Sequence, residues 1–292
     1  MTSPHLSSAT EPTASPRSQS LHFPAWCRPT VSPEHGVYIV LLVAFFTGAA
    51  AAQQWTWATT LALICAFCGF QAEHPLVVQI RQRKSWKPRF LLWGSVYGGM
   101  AATIALYLYW HTGRWFSPLL GIYASAIVAL GMDSVSVFQR EQKAIVNELI
   151  TFAAVCLAAP FAYVVTTNDL TPTAIGLWLL NTLFFSSAIF TVKLRKLKSE
   201  ESLEAAIRRL IVYHLIASVL VVGLAGFGVV SLWTALPFSL VLVKVGLILW
   251  QRQWYCTTRI QFVAMLETGS ALAFGSLTAL SVLPTHLANY TM

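Results

Sequence analysis

Two Glu-His pairs are the side chains in this chain whose types and spacing could do chemistry. Glu34-His35 stands where the first long apolar run begins, and Glu73-His74 stands where the second one ends. A carboxylate beside an imidazole can transfer protons or bind a cation. Two such pairs at the ends of apolar runs predict a polar site at one face of a membrane protein.

Each pair also has a simpler structural interpretation. Ser32-Pro33-Glu34 is typical of a helix start, where an acid is stabilised near the positive end of the helix dipole. Pro75 directly follows the second pair and predicts that a helix stops there. The two pairs are therefore candidates for a shared site or for two ordinary helix ends.

The composition indicates a membrane protein. Of the 292 residues, 56% are hydrophobic and 10% are charged, whereas a soluble domain carries about 25% charged residues. About nine apolar runs approach the ~20 residues that cross a bilayer, and they predict an all-α, polytopic transmembrane bundle in residues 33–292. Residues 1–32 are rich in Ser, Thr and Pro, and this composition predicts a disordered tail. The predicted spans are Gly36–Ala52, Trp55–Ala72, Phe90–Trp110, Trp115–Met132, Ile145–Val165, Thr173–Val192, Leu210–Val230, Trp233–Trp250 and Phe262–Leu283.

Lysine and arginine collect in alternate loops, which predicts the orientation. The loops after spans two, four, six and eight hold nearly all of these residues, while the opposite loops hold only Arg114. By the positive-inside rule, the amino terminus is cytoplasmic and the carboxyl terminus lies on the far side. The formal charge of +8 is therefore explained by orientation and does not indicate nucleic-acid binding.

This topology brings most charged groups to the cytoplasmic face. Asp133 and Arg140 are candidates for a structural pair, and Glu148 is a candidate dipole partner in the first turn of span five. The candidate polar site at this face consists of Glu34, His35, Glu73, His74, Arg140 and Glu148. The basic run after span two supplies candidate anion-binding residues, namely Arg81, Arg83 and Lys84.

Lys244 and Glu267 are charged residues within predicted spans eight and nine. An ionisable group inside the bilayer is costly and usually faces the protein interior. The two spans are consecutive and antiparallel. Lys244 lies about six residues, or about 9 Å, from the cytoplasmic end of its span at 1.5 Å per residue, and Glu267 has a similar depth. We therefore predict an intramembrane ion pair, with a structural role favoured over a catalytic one.

Histidines could also bind a metal if the fold brought them together. His35, His74 and His214 come from three different spans, but no local signature such as HExxH connects them. The chain lacks a P-loop, a dinucleotide-binding turn and a nucleophile elbow. Cys65 and Cys68 lie inside an apolar run and are expected to be buried thiols. The residues by themselves identify no metal or cofactor.

Several motifs resemble the YwiC-like family of polytopic bacterial membrane proteins. They are Pro33-Glu34-His35-Gly36 before an aliphatic span, Glu73-His74-Pro75 with its basic tail, and the stretch from Leu177-Trp178 through Phe184-Phe185-Ser186-Ser187 to Val192-Lys193-Leu194-Arg195. The resemblance covers about residues 33–285. It implies a multi-pass integral membrane protein of a bacterial inner or thylakoid-type membrane, and it implies no particular activity.

A more distant resemblance is to the UbiA-type prenyltransferases, which also have nine spans and a cytoplasmic amino terminus. Their acidic motifs follow spans two and six, where this chain has Glu73 and the ExxxE pair Glu200 and Glu204. The segment from Gln139-Arg140 to Glu148 at the start of span five is also similar to theirs. The resemblance implies magnesium, held by several Asp residues on a substrate diphosphate. Here Glu73 is followed by cations instead, so magnesium is implied only if that scaffold is shared.

Two classes of function fit these residues. One is a prenyltransferase-type protein that binds a lipophilic isoprenoid diphosphate at the cytoplasmic face, with the lipid bilayer around it. The other is a non-catalytic membrane protein, either a transporter or an assembly factor for a cofactor or complex. The sequence does not assign catalysis to any residue.

Overall fold

The computed structural model describes residues 29–33, 35–82, 85–195 and 200–283. The described residues form an all-α bundle with nine helical segments that are long and apolar enough to cross a membrane, which confirms the predicted fold class. A 3-10 turn, Leu236–Phe238, separates α9 from α10. The helices are α1 His35–Ala52, α2 Trp57–Gln82, α3 Pro88–His111, α4 Pro118–Gln139, α5 Ile145–Cys156, α6 Ala158–Thr167, α7 Pro172–Leu194, α8 Glu200–Gly226, α9 Leu232–Ala235, α10 Ser239–Trp250, α11 Arg252–Thr257 and α12 Ile260–Val282.

The helices α1 and α7 form the centre of the bundle and are its two most buried spans. Helix α1 packs against α6 and α12, while α7 packs against α5 and α8. Helices α3 and α4 lie at the periphery, with most of their surface left for lipid. This layering brings the carboxyl-terminal ends of α2, α4 and α7 to the same end of the bundle as the start of α5.

Span five is broken near its middle into α5 and α6. Pro160 has no N–H to donate to the carbonyl four residues earlier, so the helix cannot continue regularly through this turn. The backbone N–H of Leu157 bonds to the carbonyl of Ala154 instead of that of Ala153. The Trp178 indole of α7 donates to the freed Ala153 carbonyl at 2.8 Å. A neighbouring helix thus satisfies a group that lipid could not.

Close approach of α1 to α6 depends on glycine. A Cβ atom added at Gly48 would lie 2.0 Å from the carbonyl oxygen of Ala159. Small residues allow helix backbones to pack closely in a membrane, where apolar burial alone gives no preference for protein over lipid. Gly48 therefore fixes how α1 crosses the broken span.

The α2–α3 hairpin corrects the prediction that a helix stops at Pro75. Helix α2 continues through Pro75 to Gln82, so Glu73-His74 lies inside the helix. The proline removes only its own N–H bond, which membrane helices tolerate. Gly94 of α3 faces Pro75 and Leu76, and this contact supports α2 beyond the proline.

Residues 29–32, at the end of the predicted tail, contact the helical bundle. Thr30 and Ser32 are buried. The Ser32 N–H donates to Gln71 Oε1 at 3.2 Å, and Arg89 donates to the Pro29 carbonyl at 2.9 Å. This segment is therefore bound to α2 and α3, while residues 1–28 of the predicted tail lie outside the described residues.

Candidate functional site

The first Glu-His pair begins α1. His35 is exposed and its ring stacks on Tyr38, with ring centroids 6.5 Å apart. The Tyr38 hydroxyl donates to the Ser32 carbonyl, and the Gln71 amide donates to the Tyr38 hydroxyl. Glu34 lies outside the described residues. His35 therefore lies beside a group of hydrogen bonds that connects the start of α1 to α2.

The second pair, Glu73 and His74, is half-buried within α2. His74 and Arg81 are seven residues apart, which places them on the same face of the helix. At 1.5 Å per residue, His74 lies about 10 Å closer to the middle of the membrane than Arg81 does. Within the described part of the chain, no three His, Cys, Asp or Glu side chains lie together as a metal site.

His214 does not join the other two histidines in a metal site, because both of its ring nitrogens have partners. Nδ1 lies 2.7 Å from the Leu210 carbonyl, and Nε2 lies 2.8 Å from the Ser187 hydroxyl. A carbonyl only accepts, so Nδ1 carries the proton and Nε2 accepts from Ser187. His214 is thus a buried link between α7 and α8.

Lys244 and Glu267 lie together between α10 and α12. The Lys244 Nζ is 2.7 Å from Glu267 Oε2 and 5.5 Å from the centre of the Phe184 ring. Thr191 of α7 donates to the other carboxylate oxygen at 3.2 Å. The Lys244 side chain is only 3% exposed and that of Glu267 is 21% exposed. The pair therefore joins three helices through charge in an apolar surrounding.

Helix α11 follows α10 and places Tyr255 within the electrostatic influence of Glu267. Its Tyr255 is fully buried, and burial, reinforced by the negative charge of Glu267, raises the pKa of Tyr255 to about 12. Arg195 at the end of α7 donates to the carbonyls of Tyr255 and Thr258. These contacts fix α11 against the ends of α7 and α12.

A basic cavity, which we call the basic pocket, opens at the same end of the bundle. It has a volume of about 500 Å³ and lies between the end of α2, the end of α4 and the turn that leads into α5. Among the described residues, its lining contains three cationic side chains and no carboxylate. The lining residues are Arg81, Val137, Arg140, Gln142 and Lys143.

Local backbone geometry shapes the basic pocket. Arg140 has a φ of 65° and ends α4 in the left-handed conformation, which turns the chain sharply towards α5. Gln142 and Lys143 then lead directly into the start of α5 at Ile145. The free N–H groups and dipole of a helix start favour an anion. The negative end of the α4 dipole is also close, and Arg140, the residue that ends α4, carries a compensating positive charge.

The other candidate residues at this face have different partners from those expected. Asp133 accepts a hydrogen bond from Asn147 at 2.8 Å rather than pairing with Arg140. Glu148 does lie in the first turn of α5, and it also lies 2.6 Å from Lys193 of α7. Arg140 therefore remains available to the basic pocket, which an Asp133 pair would have neutralised.

Of the predicted anion-binding residues, Arg81 lines the basic pocket, and Arg83 and Lys84 lie outside the described residues. Sequence analysis placed Lys143 and Lys193 only among the orienting cations. Lys143 shares a short loop with Arg140, and Lys193 stands at the predicted cytoplasmic end of span six. These positions in the sequence were the signal that could have indicated a role for Lys143 and Lys193 at the basic pocket.

The acids suggested by the UbiA-type resemblance do not form a described metal site. Glu204 is exposed on α8, whereas Glu73 is half-buried within α2. The side chain of Glu200 lies outside the described residues. Where the structure describes the chain, no carboxylates cluster as magnesium ligands.

The YwiC-like family model matches residues 31–163. This segment runs from the residues before α1 into α6, and it includes every lining residue of the basic pocket. The resemblance seen in the sequence is confirmed over these residues, and with the nine apolar helices it identifies a multi-pass membrane protein. No curated protein matches the chain.

Proposed function

We propose that this protein binds the diphosphate or phosphate headgroup of a lipophilic, isoprenoid-type molecule in the basic pocket, at the cytoplasmic face of a bacterial inner or thylakoid-type membrane. The observation that carries the proposal is the cavity of about 500 Å³ lined by Arg81, Arg140 and Lys143. Its volume falls within the range of small-molecule sites, about 300–1,000 Å³.

The charge of the lining supports an anionic headgroup. Arginine presents several N–H donors in a planar fork that matches phosphate oxygens, and lysine adds a compact positive charge. The start of α5 adds its N–H groups next to Lys143. These donors supply directly the positive charge that a metal ion would otherwise bring to a diphosphate.

The position of the basic pocket supports a lipophilic ligand. Its residues come from the ends of two membrane spans, so a bound headgroup lies at the level of the lipid headgroups. Val137 contributes an apolar wall. Exposed apolar side chains follow along α4 towards the membrane centre, at Met132, Val135 and Phe138. An apolar chain attached to the headgroup can remain in lipid along this helix.

Binding without turnover is the alternative that corresponds to a carrier or assembly factor. The observation that favours it is the lack of clustered carboxylates in the described part of the chain, because a carboxylate-held magnesium would assist loss of diphosphate. If turnover occurs, His74 and Glu73 are the candidates for proton transfer, because His74 lies on the Arg81 face of α2.

The test is a binding titration with the purified full chain in lipid nanodiscs. Farnesyl diphosphate is the probe, and farnesol and inorganic diphosphate separate the contributions of tail and headgroup. We expect saturable binding of farnesyl diphosphate, with affinity lowered about tenfold or more by Arg81→Gln and by Arg140→Gln, because each removes charge-assisted hydrogen bonds. Arg114→Gln is the matched control, since Arg114 pairs with Asp169 in another part of the bundle.

Failure of the wild-type protein to bind farnesyl diphosphate would contradict the proposal. Equal affinity of the three variants would place binding outside the basic pocket and would also contradict it. Release of diphosphate from the bound probe in the presence of a lipophilic acceptor would support an enzyme. An intact probe after prolonged incubation would support the non-catalytic alternative.

A further inference from the structure

The turn between α4 and α5 supplies three of the five described residues that line the basic pocket, namely Arg140, Gln142 and Lys143. Two backbone bonds of 2.8 Å form the turn, from the Glu141 N–H to the Ser136 carbonyl and from the Ala144 N–H to the Glu141 carbonyl. The side-chain bonds within it are long, with Asn147 donating to the Gln142 carbonyl at 3.4 Å and Gln142 donating to the Val137 carbonyl at 3.5 Å. A shorter side-chain bond comes from α7, where Lys193 Nζ donates to the Lys143 carbonyl at 2.9 Å. Position and charge at the basic pocket therefore depend on a residue fifty positions away in the chain.

Lys193 also lies 2.6 Å from Glu148 Oε2. Glu148 is in the first turn of α5, the same helix start that borders the basic pocket. Without Lys193 this carboxylate would lower the positive potential where an anionic headgroup would bind. Two other carboxylates lie near this turn: Asp133 accepts a hydrogen bond from Asn147, and Glu141 is exposed within the turn. Lys193 neutralises the negative charge of Glu148, the carboxylate at the start of α5.

We propose that Lys193 is a positioning residue for the basic pocket, holding the Lys143 backbone and neutralising Glu148 so that the pocket accepts a multiply charged phosphate headgroup. This inference rests on the proposed function. The described lining residues of the pocket lie within residues 31–163, the segment that the family model matches, whereas Lys193 lies outside it on α7. Lys193 does not line the pocket and acts through Lys143 and Glu148.

The pair lies at the edge of the bundle rather than in its core. The side chains of Lys193 and Glu148 are 27% and 29% exposed, so water screens the pair in part, although Glu148 Oε2 itself is buried. Replacing Lys193 is therefore expected to leave a folded bundle. The consequence should appear in ligand affinity, most strongly for the more highly charged headgroup.

The experiment compares Lys193 variants of the full chain in nanodiscs, with farnesyl diphosphate and farnesyl monophosphate as probes. Lys193→Gln should lower the affinity for the diphosphate about tenfold and that for the monophosphate about threefold. The difference is expected because repulsion by the Glu148 carboxylate increases with the negative charge of the headgroup. Lys193→Arg should stay within about twofold of wild type, because the guanidinium can reach both partners.

A double variant separates the two effects of Lys193. Glu148→Gln added to Lys193→Gln should recover the preference for diphosphate over monophosphate, while overall affinity stays below wild type because the Lys143 carbonyl is still released. Arg195→Gln is the matched control on the same helix end, since its bonds go to Tyr255 and Thr258. Thermal unfolding of each variant verifies that the bundle is intact.

The outcomes distinguish this inference from the proposed function. A wild-type protein that binds neither probe contradicts both. Binding by wild type that Lys193→Gln leaves unchanged for both probes contradicts the role of Lys193 alone. A loss for Lys193→Gln that is equal for the two probes, and that Glu148→Gln does not alter, contradicts the charge-compensation part.

Discussion

At the scale of single residues, the charged groups of this bundle are buried only with partners. Lys244 has Glu267 and the Phe184 ring, and Thr191 completes the carboxylate. Burying two charges is costly, so a lone buried partner is far less stable than the pair. The basic pocket is the contrasting case, because its cations line an open space where an anion can supply the missing charge.

We expect Lys244→Met to lower the free energy of unfolding by about 3 kcal/mol, because it leaves the Glu267 carboxylate without its counter-charge. The measurement is unfolding by SDS titration in mixed micelles. The double variant Lys244→Met with Glu267→Gln should be less destabilised than the single one. Arg114→Gln breaks a mostly exposed pair and should cost at most about 1 kcal/mol. Equal losses of unfolding free energy in Lys244→Met and Arg114→Gln would show that burial does not strengthen the Lys244–Glu267 pair.

At the scale of helices, small residues and broken turns decide which elements touch. Gly48 allows α1 to meet α6, and Gly94 allows α3 to lie against Pro75 of α2. The Trp178 indole satisfies a carbonyl at the break in span five. These contacts set the positions of α2 and α5, and hence of the basic pocket between the end of α2 and the start of α5.

Gly48→Ala should destabilise the protein by about 1–3 kcal/mol, since the new Cβ would overlap the Ala159 carbonyl and force α1 and α6 apart. Gly99→Ala on α3 is the matched control, because nothing lies within 4 Å of its new Cβ. Alanine favours a helix over glycine, so the control should be neutral or stabilising. Thermal unfolding in detergent measures both, and a neutral Gly48→Ala would argue against the close crossing.

Trp178→Phe should cost about 1 kcal/mol, because the Ala153 carbonyl at the helix break loses its donor in an apolar surrounding. Trp93→Phe provides a comparison of equal size change, since its buried indole N–H has no hydrogen-bond partner among the described residues. The difference between the two variants in SDS unfolding isolates the hydrogen bond. Identical losses would mean that the indole ring volume, rather than its N–H, matters at span five.

At the scale of the whole molecule, the basic pocket and two ion pairs lie towards one end of the bundle. The basic pocket, the Lys193–Glu148 pair and the Lys244–Glu267 pair are all nearer to the predicted cytoplasmic ends of their spans. At the opposite end, Arg114 pairs with Asp169 across two short loops. A ligand site at the predicted cytoplasmic face fits this asymmetry, because soluble anionic substrates and most basic loops are on that side.

The predicted orientation can be tested with single cysteines in a variant that lacks the native ones. Glu141→Cys, in the turn beside the basic pocket, should be protected from a membrane-impermeant maleimide in intact cells and react after lysis. His111→Cys, at the other end of α3, should react in intact cells. Both positions are exposed, so reactivity reports their side of the membrane. The reverse pattern would overturn the cytoplasmic assignment of the basic pocket.

The sequence by itself determined the number of spans, the alternation of basic loops and the depth of Lys244 and Glu267, because length and charge respond to the bilayer directly. It could not identify α1 and α7 as the central helices. Lipid and protein core are equally apolar, so burial inside the bundle leaves no pattern in hydrophobicity. Tertiary structure alone brought Arg81, Lys143 and Lys193 together, since their meeting depends on backbone contacts at Gly48, Gly94 and the turn at Arg140.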